Sequence, residues 1–171
     1  MSGIETERKF LVKGYDYRYE ATSSSRIKQG YICSGHGHTV RVRTRGDRAY
    51  LTIKGPSTDG GLSRYEFEKE ITLDEARHLM RLCEPGIIDK TRYLVACGEH
   101  TFEVDEFYGD NAGLVMAEVE LKDKDEPFEK PRFIGPEVTG DRRFYNSSLR
   151  SRPFSSWRDA IPTTYRHKEL E

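Results

Sequence analysis

The chain has 171 residues, of which 35% are hydrophobic and 33% charged, with 10 Tyr and 8 Phe. That length suits one domain with a sizeable core, and the aromatic content is higher than disordered chains carry. The 28 basic and 29 acidic side chains leave a net charge of −1, which gives no support to a general nucleic-acid binder.

Cys33, Cys83 and Cys97 are widely spaced and form no C-x-x-C. A disulfide framework is not expected, and the set fits a reducing cytoplasm. There is no basic-then-apolar leader and no apolar run of membrane-spanning length. The expectation is a soluble cytoplasmic protein with neither a nucleic-acid nor a membrane partner.

The first predicted strand, residues 4–12, alternates. Side chains two apart share a face of a strand, so Glu5, Glu7 and Lys9 face one way and Ile4, Thr6, Arg8 and Phe10 the other. Gly14 ends the strand, and residues 15–25 read as a short helical turn and loop. Residues 26–34 form the next strand, followed by a turn at G-H-G-H, residues 35–38. Cys33, His36 and His38 lack a fourth ligand for structural zinc, so a tight Gly-rich hairpin is the better reading.

Residues 39–45 (T-V-R-V-R-T-R) put Arg41, Arg43 and Arg45 on one face. Gly46-Asp47 turns the chain, and residues 48–54 pair back, with Tyr50, Thr52 and Lys54 on one side and Leu51 and Ile53 on the other. The loop 55–61 is Gly-rich but lacks G-K-[ST], so it is not a P-loop. Residues 63–72 alternate again, with Arg64, Glu66, Glu68 and Glu70 opposite Tyr65, Phe67 and Ile71.

At residues 73–83 the spacing turns helical, with Ala76, Leu79, Met80 and Cys83 in one stripe. Thr72 and Glu75 form a capping box, and Pro85-Gly86 stops the helix. A strand at 87–96 carries Lys90 and Arg92 on one face. One at 100–107 carries Glu103 and Asp105, and one at 114–122 carries Glu118, Glu120 and Lys122. Residues 123–131 read as a loop and 135–149 as a turn running into a short helix. Residues 150–171 read as a tail lying loosely on the domain. Short strands with turn punctuation suggest an antiparallel barrel or sandwich.

In most of these strands the face opposite the charges is apolar. Two arrangements satisfy that pattern. One is an open sheet with its charged face in water. The other is a barrel closed around the charged face, which must then be wet and ion-filled because unpaired buried ions cost several kcal/mol each. The E-x-E pairs Glu5/Glu7 and Glu118/Glu120 are hard oxygen donors suited to Mg²⁺ or Mn²⁺. Arg41, Arg43, Lys54, Lys90 and Arg92 are the types that hold phosphate oxygens. Both clusters in one site suit a magnesium-bound polyphosphate.

Glu5-Thr6-Glu7-Arg8-Lys9 resembles the E-x-E-x-K signature of CYTH domains, also called triphosphate tunnel metalloenzymes. In the same order follow the R-x-R of Arg41 and Arg43, Lys54 ending its strand, and the E-x-E of Glu66 and Glu68. The K-x-R of Lys90 and Arg92 and the E-x-E of Glu118 and Glu120 come next. The stretch 137–141 with Tyr145-Asn146 looks like the end of the short, single-domain bacterial members. The resemblance implies an eight-stranded antiparallel closed barrel forming a tunnel over residues 1–150, with 151–171 as a C-terminal tail on or beside it.

It further implies hydrolysis of inorganic tripolyphosphate to pyrophosphate and phosphate with two Mg²⁺ or Mn²⁺ ions. Glu5, Glu118 and Glu120 would hold the first ion. Glu7 and Glu120 would hold a second and orient the water. Lys9, Arg41, Arg43, Lys54, Lys90 and Arg92 would clamp the phosphates. Glu7, Lys9 and Glu120 are thus the expected catalytic groups, and a helix around Asn146 the plug of one end. Class IV adenylate cyclase, thiamine triphosphatase, nucleoside triphosphatase and a non-catalytic polyphosphate-binding module stay open. So does the choice between monomer and homodimer.

Overall fold

Alternation is what builds this molecule. The structure, a computed structural model, describes residues 3–168. Nine strands run through it: β1 (Gly3–Val12), β2 (Ser23–Gly35), β3 (His38–Arg45), β4 (Arg48–Lys54), β5 (Ser63–Ile71), β6 (Ile88–Cys97), β7 (His100–Phe107), β8 (Val115–Leu121) and β9 (Ile134–Glu137). The sheet order is β5-β4-β3-β2-β6-β7-β8-β1-β9, and β5 also pairs with β1. β1 to β8 therefore close an eight-stranded antiparallel barrel, which leaves no free edge among them. β9 is an extra strand on the end of β1.

Tight turns set the registers. At the β2–β3 hairpin both turn residues are left-handed, His36 at φ 51° and Gly37 at φ 81°, the conformation whose twist suits a two-residue hairpin. The register that follows sets Arg41 opposite Tyr31 and Arg43 opposite Gln29. On the other side, Glu7 faces Glu120 and Lys9 faces Glu118 across β1 and β8.

The outer wall is covered in two patches. Helix α1 (Asp16–Glu20) lays Tyr17 over Phe10, Val12, Val104 and Phe133. Helix α2 (Leu73–Met80) lays Ala76 and Leu79 over Val42, Ala49 and Leu51. α2 starts at the expected capping box: Glu75 N donates to Thr72 Oγ1 (3.0 Å) and Thr72 N to Glu75 Oε1 (2.9 Å). It ends at Met80 rather than Cys83. There the amides of Leu82 and Cys83 bond back only to Leu79 and Met80, and Glu84 N leaves the helix to reach Tyr31 O (2.8 Å) beside an irregularity in β2.

The inner wall is charged only over part of its length. Leu11, Ile88, Phe107, Leu114 and Met116 share an interior cluster at one end, and Phe144, Leu149, Phe154 and Ile161 fill it. This corrects two expectations. The segment after residue 131 contains a strand, β9, and the short helix α3 (Asn146–Leu149) only after it. The residues beyond 150 do not lie loosely: Phe154 is fully buried, and Asn111 Oδ1 accepts from its amide at 2.9 Å. The chain from 144 to 161 is an apolar stopper, held by the hydrocarbon that the barrel offers at that end.

Candidate active site

Below the stopper the same inward faces become ionic and enclose a cavity of about 310 Å³. Glu5, Glu7, Lys9, Arg41, Arg43, Lys54, Lys90, Arg92, Glu118 and Glu120 all line it. Strand parity aims them inward, and barrel closure brings β1 and β8 against β3, β4 and β6.

The acids lie mainly along β1 and β8, where lysines separate them. Lys54 Nζ stands 3.1 Å from Glu5 Oε2, and Lys9 Nζ 3.4 Å from Glu118. Burial, and next the contact with Glu66, push the Glu5 carboxyl above its ordinary value although Lys54 opposes. Burial pushes Glu7 up as well, against Lys54, with Glu5 adding repulsion. Glu120 is raised by burial, then by Glu103 and Glu7. Burial disfavours the Lys54 ammonium, but Glu7 and Glu5 outweigh it and hold the charge in place.

The basic residues divide into two groups. Asp105, 2% exposed, grips one of them. Lys90 Nζ donates to Asp105 Oδ2 (2.7 Å) and to Asn146 Oδ1 (3.0 Å). Arg92 donates to both oxygens of Asp105 (2.8 and 2.9 Å) and to Glu103 Oε2 (2.6 Å). Burial resists the Asp105 charge, but Arg92 and Lys90 overcome it and hold its carboxyl far below the usual range. Burial and the Arg92 cation push Lys90 down to about 8 against the pull of Asp105.

The second group is loosely held. Arg41 and Arg43 approach Glu68 only at 3.9 and 3.6 Å, and Thr52 Oγ1 bridges Arg41 to Glu68. Burial, then Arg41 and Arg92, push the Arg43 guanidinium down to about 10. The Nε atoms of Arg41, Arg43 and Arg64 are buried without a hydrogen-bond partner among the described residues.

Some inward-facing charges are not on the cavity wall. Asp105 lies beneath it, and Arg45 does not line it. Glu70 is exposed and pairs with Arg48 at 3.4 Å, and Lys122 is exposed past the end of β8. Each sits at a strand end or below the cavity floor, which parity does not register. Conversely, Tyr31, Thr52 and Arg64 line the cavity and are not among the site residues expected from sequence, and Thr139, Gly140 and Tyr145, which the sequence marked only as part of the family-like stretch, line it too. For Arg64 and Thr52 a signal existed, since they share faces with Glu66 and Lys54. For Thr139 and Gly140 the signal was the family-like stretch 137–141, which gave them no place at the site. Val138 N donates to Lys9 O, and Lys9 N to Thr139 Oγ1, and these bonds carry that loop to the rim. Gly140 is required there: at φ 81° a Cβ would stand 2.2 Å from Gly60 O.

A closed antiparallel barrel around an ion-lined tunnel, with carboxylates and basic side chains facing one cavity, is the class that this fold and cavity define. The profile of the CYTH domain matches residues 3–145, and the chain belongs to that family. It is 46% identical over 158 residues to an inorganic triphosphatase of Acetivibrio thermocellus, covering 92% of this chain and 99% of that one. It is 34% identical over 150 residues to an inorganic triphosphatase of Nitrosomonas europaea, covering 85% and 95%. A crystal structure of an inorganic triphosphatase superposes with a TM-score of 0.59 at 29% identity, over 85% of this chain and 93% of the other.

Proposed function

We propose that this protein is an inorganic triphosphatase, hydrolysing tripolyphosphate to pyrophosphate and phosphate within the tunnel. One observation carries the reading. Arg41, Arg43 and Arg64 hold buried donors with no hydrogen-bond partner among the described residues, in a cavity that the acids of β1 and β8 also line. Buried donors without partners are costly, and a polyphosphate supplies acceptors at close spacing. The identity to two inorganic triphosphatases supports the inorganic substrate.

The donor set fits a divalent cation. The carboxyls of Glu7 and Glu66 line the same cavity as Glu5, whose Oε2 meets the Lys54 ammonium at 3.1 Å. All the donors are carboxylate oxygens, the preference of Mg²⁺ and Mn²⁺. Among the described residues no three carboxylate, histidine or cysteine side chains are already grouped around one point, because Lys54 and Lys9 sit between the acids. Glu5, Glu7, Glu118 and Glu120 would hold the cations as those lysines turn to the incoming phosphates. When bound, the ions would supply charge neutralisation and a water of lowered pKa.

The chain's own residues do the rest. Arg41, Arg43 and Lys54 bind the triphosphate from the open side, and Lys90 and Arg92, fixed by Asp105, from the floor. Lys9, anchored on the Phe144 carbonyl at 3.2 Å, reaches the phosphates from the acidic wall. Glu7 and Glu120, facing each other across β1 and β8, orient the water. Attack forms the new P–O bond and breaks the bridging P–O bond. The electron pair passes to pyrophosphate, and the proton leaves by the acidic wall. Such transfer depends on positioning and charge neutralisation rather than on a protein nucleophile.

The test is a phosphate-release panel on tripolyphosphate, ATP and thiamine triphosphate, with Mg²⁺, with Mn²⁺ and after chelation. Cation-dependent release greatest on tripolyphosphate is expected. Glu7→Gln should abolish release while tripolyphosphate binding survives. Cyclic AMP formation from ATP, or a larger kcat/KM on ATP, would overturn the assignment.

A further inference from the structure

The first three residues of the apolar stopper, 144–146, reach two lysines on different strands. Phe144 O accepts from Lys9 Nζ of β1 at 3.2 Å, and the Tyr145 ring lies 5.4 Å from the same ammonium. Asn146 Oδ1 accepts from Lys90 Nζ of β6 at 3.0 Å. Hydrocarbon fixes this stretch. Phe144, Leu149 and Phe154 are buried, and the Phe144 ring stands edge-on to Trp157 at 5.2 Å. Burial of such side chains is the main favourable term in docking, so apolar neighbours carry the polar atom of Asn146 to its place.

Lys90 is buried and lines the tunnel. An ammonium has three N–H donors. Asp105 Oδ2 takes one at 2.7 Å and Asn146 Oδ1 a second, and among the described residues the third has no acceptor. Two acceptors at a tetrahedral nitrogen fix the direction of the third N–H, whereas one acceptor leaves it free to turn. The other groups facing Lys90 are Asp105 on β7, Arg92 on its own strand, Glu118 on β8 and the Phe107 ring at 5.5 Å. Asn146 is the uncharged acceptor of this set. A carboxylate in its place would orient the ammonium equally well but would cancel charge that a phosphate needs.

We propose that Asn146 is a positioning residue of the phosphate clamp: it fixes the direction of the remaining N–H of Lys90 while leaving the ammonium its charge. The inference rests on the reading of the tunnel as a triphosphate site. It assigns more than a plug to this position, since a plug needs only bulk at residue 146 and a leucine would serve.

The experiment measures tripolyphosphate affinity by calorimetry from pH 7 to 10, without divalent cation, on wild type, Asn146→Leu and Asn146→Asp. Both substitutes match asparagine closely in size, and thermal melts check the fold. Asn146→Leu removes the acceptor and keeps the bulk. It should weaken binding at pH 7 about fivefold, part of the worth of a hydrogen bond to a charged group. It should also move the alkaline fall in affinity down by about half a pH unit. Asn146→Asp should move that fall up by about one pH unit, because a carboxylate favours the ammonium. A residue that serves only as bulk moves neither, so an unshifted profile in both variants overturns the proposal whatever their melting temperatures. In a Lys90→Met background Asn146→Leu should lose its effect on affinity, and an undiminished effect would equally overturn it. Should tripolyphosphate not bind the wild type, the functional assignment fails on its own. Stability of the ligand-free protein against pH then decides: the rise above pH 8 should move down for Asn146→Leu and up for Asn146→Asp, and coincident curves overturn the positioning role.

Discussion

The two basic groups in the tunnel are built on opposite principles. Lys90 and Arg92 are tied to one buried carboxylate by three hydrogen bonds of 2.7 to 2.9 Å. Arg41 and Arg43 share a carboxylate no nearer than 3.6 Å and leave their Nε atoms unpartnered. The first group is a fixed part of the barrel. The second keeps donors unpartnered among the described residues, as the proposed anion receptor requires. The difference teaches that charge count alone does not locate function in a charged interior. The vacant hydrogen-bonding capacity does.

That contrast can be broken from either side. The largest effect is expected at Asp105. Asp105→Ala removes the buried carboxylate that Lys90 and Arg92 share and leaves Arg92 only Glu103; breaking such a set costs about 3–5 kcal/mol, read as a lowered denaturation midpoint. Equal stability of the variant would show that the triad is no scaffold. Arg43→Met should do the reverse. It removes a cation that burial and like charges already disfavour, so the melting temperature should hold or rise. Its kcat/KM on tripolyphosphate should nevertheless fall about 10²–10³-fold, as for loss of one preorganised charge donor.

A smaller effect concerns pH. The Lys90 pKa is about 8 folded against an ordinary 10.5. Between those values the unfolded chain binds the extra proton, so the ligand-free protein should gain stability as pH rises through that window. Over the same window Lys90 loses the charge that is proposed to meet phosphate, and affinity for tripolyphosphate should fall by up to about tenfold per pH unit above 8. Denaturation and binding titrations at pH 7, 8, 9 and 10 should move in opposite directions, and Lys90→Arg should flatten the binding curve. The smallest effect is expected at Thr52, which links Arg41 to Glu68. Thr52→Val should lower kcat/KM only a few-fold, about the 0.5–1.5 kcal/mol of one hydrogen bond, and a hundredfold loss would promote Thr52 into the receptor.

Much of this was legible in the sequence. A side chain's face depends on its own strand's parity, which is local. The first eight strands, the charged set from Glu5 to Glu120, the capping box at Thr72 and the family resemblance could therefore all be read without coordinates. What tertiary structure decided was everything that depends on pairs of distant segments. Which acid faces which base follows from register and closure, as in Lys54 with Glu5 and Asp105 beneath Lys90 and Arg92. The inward parity of Leu11, Ile88, Phe107 and Met116 was visible, but not that residues 144–161 return to cap them. Docking of a polar-looking segment rests on a few apolar anchors, Phe144, Phe154 and Ile161, whose partners lie elsewhere in the chain. Local pattern fixes direction; only the closed barrel, whose interior must be filled by water, ions or hydrocarbon, fixes what each direction meets.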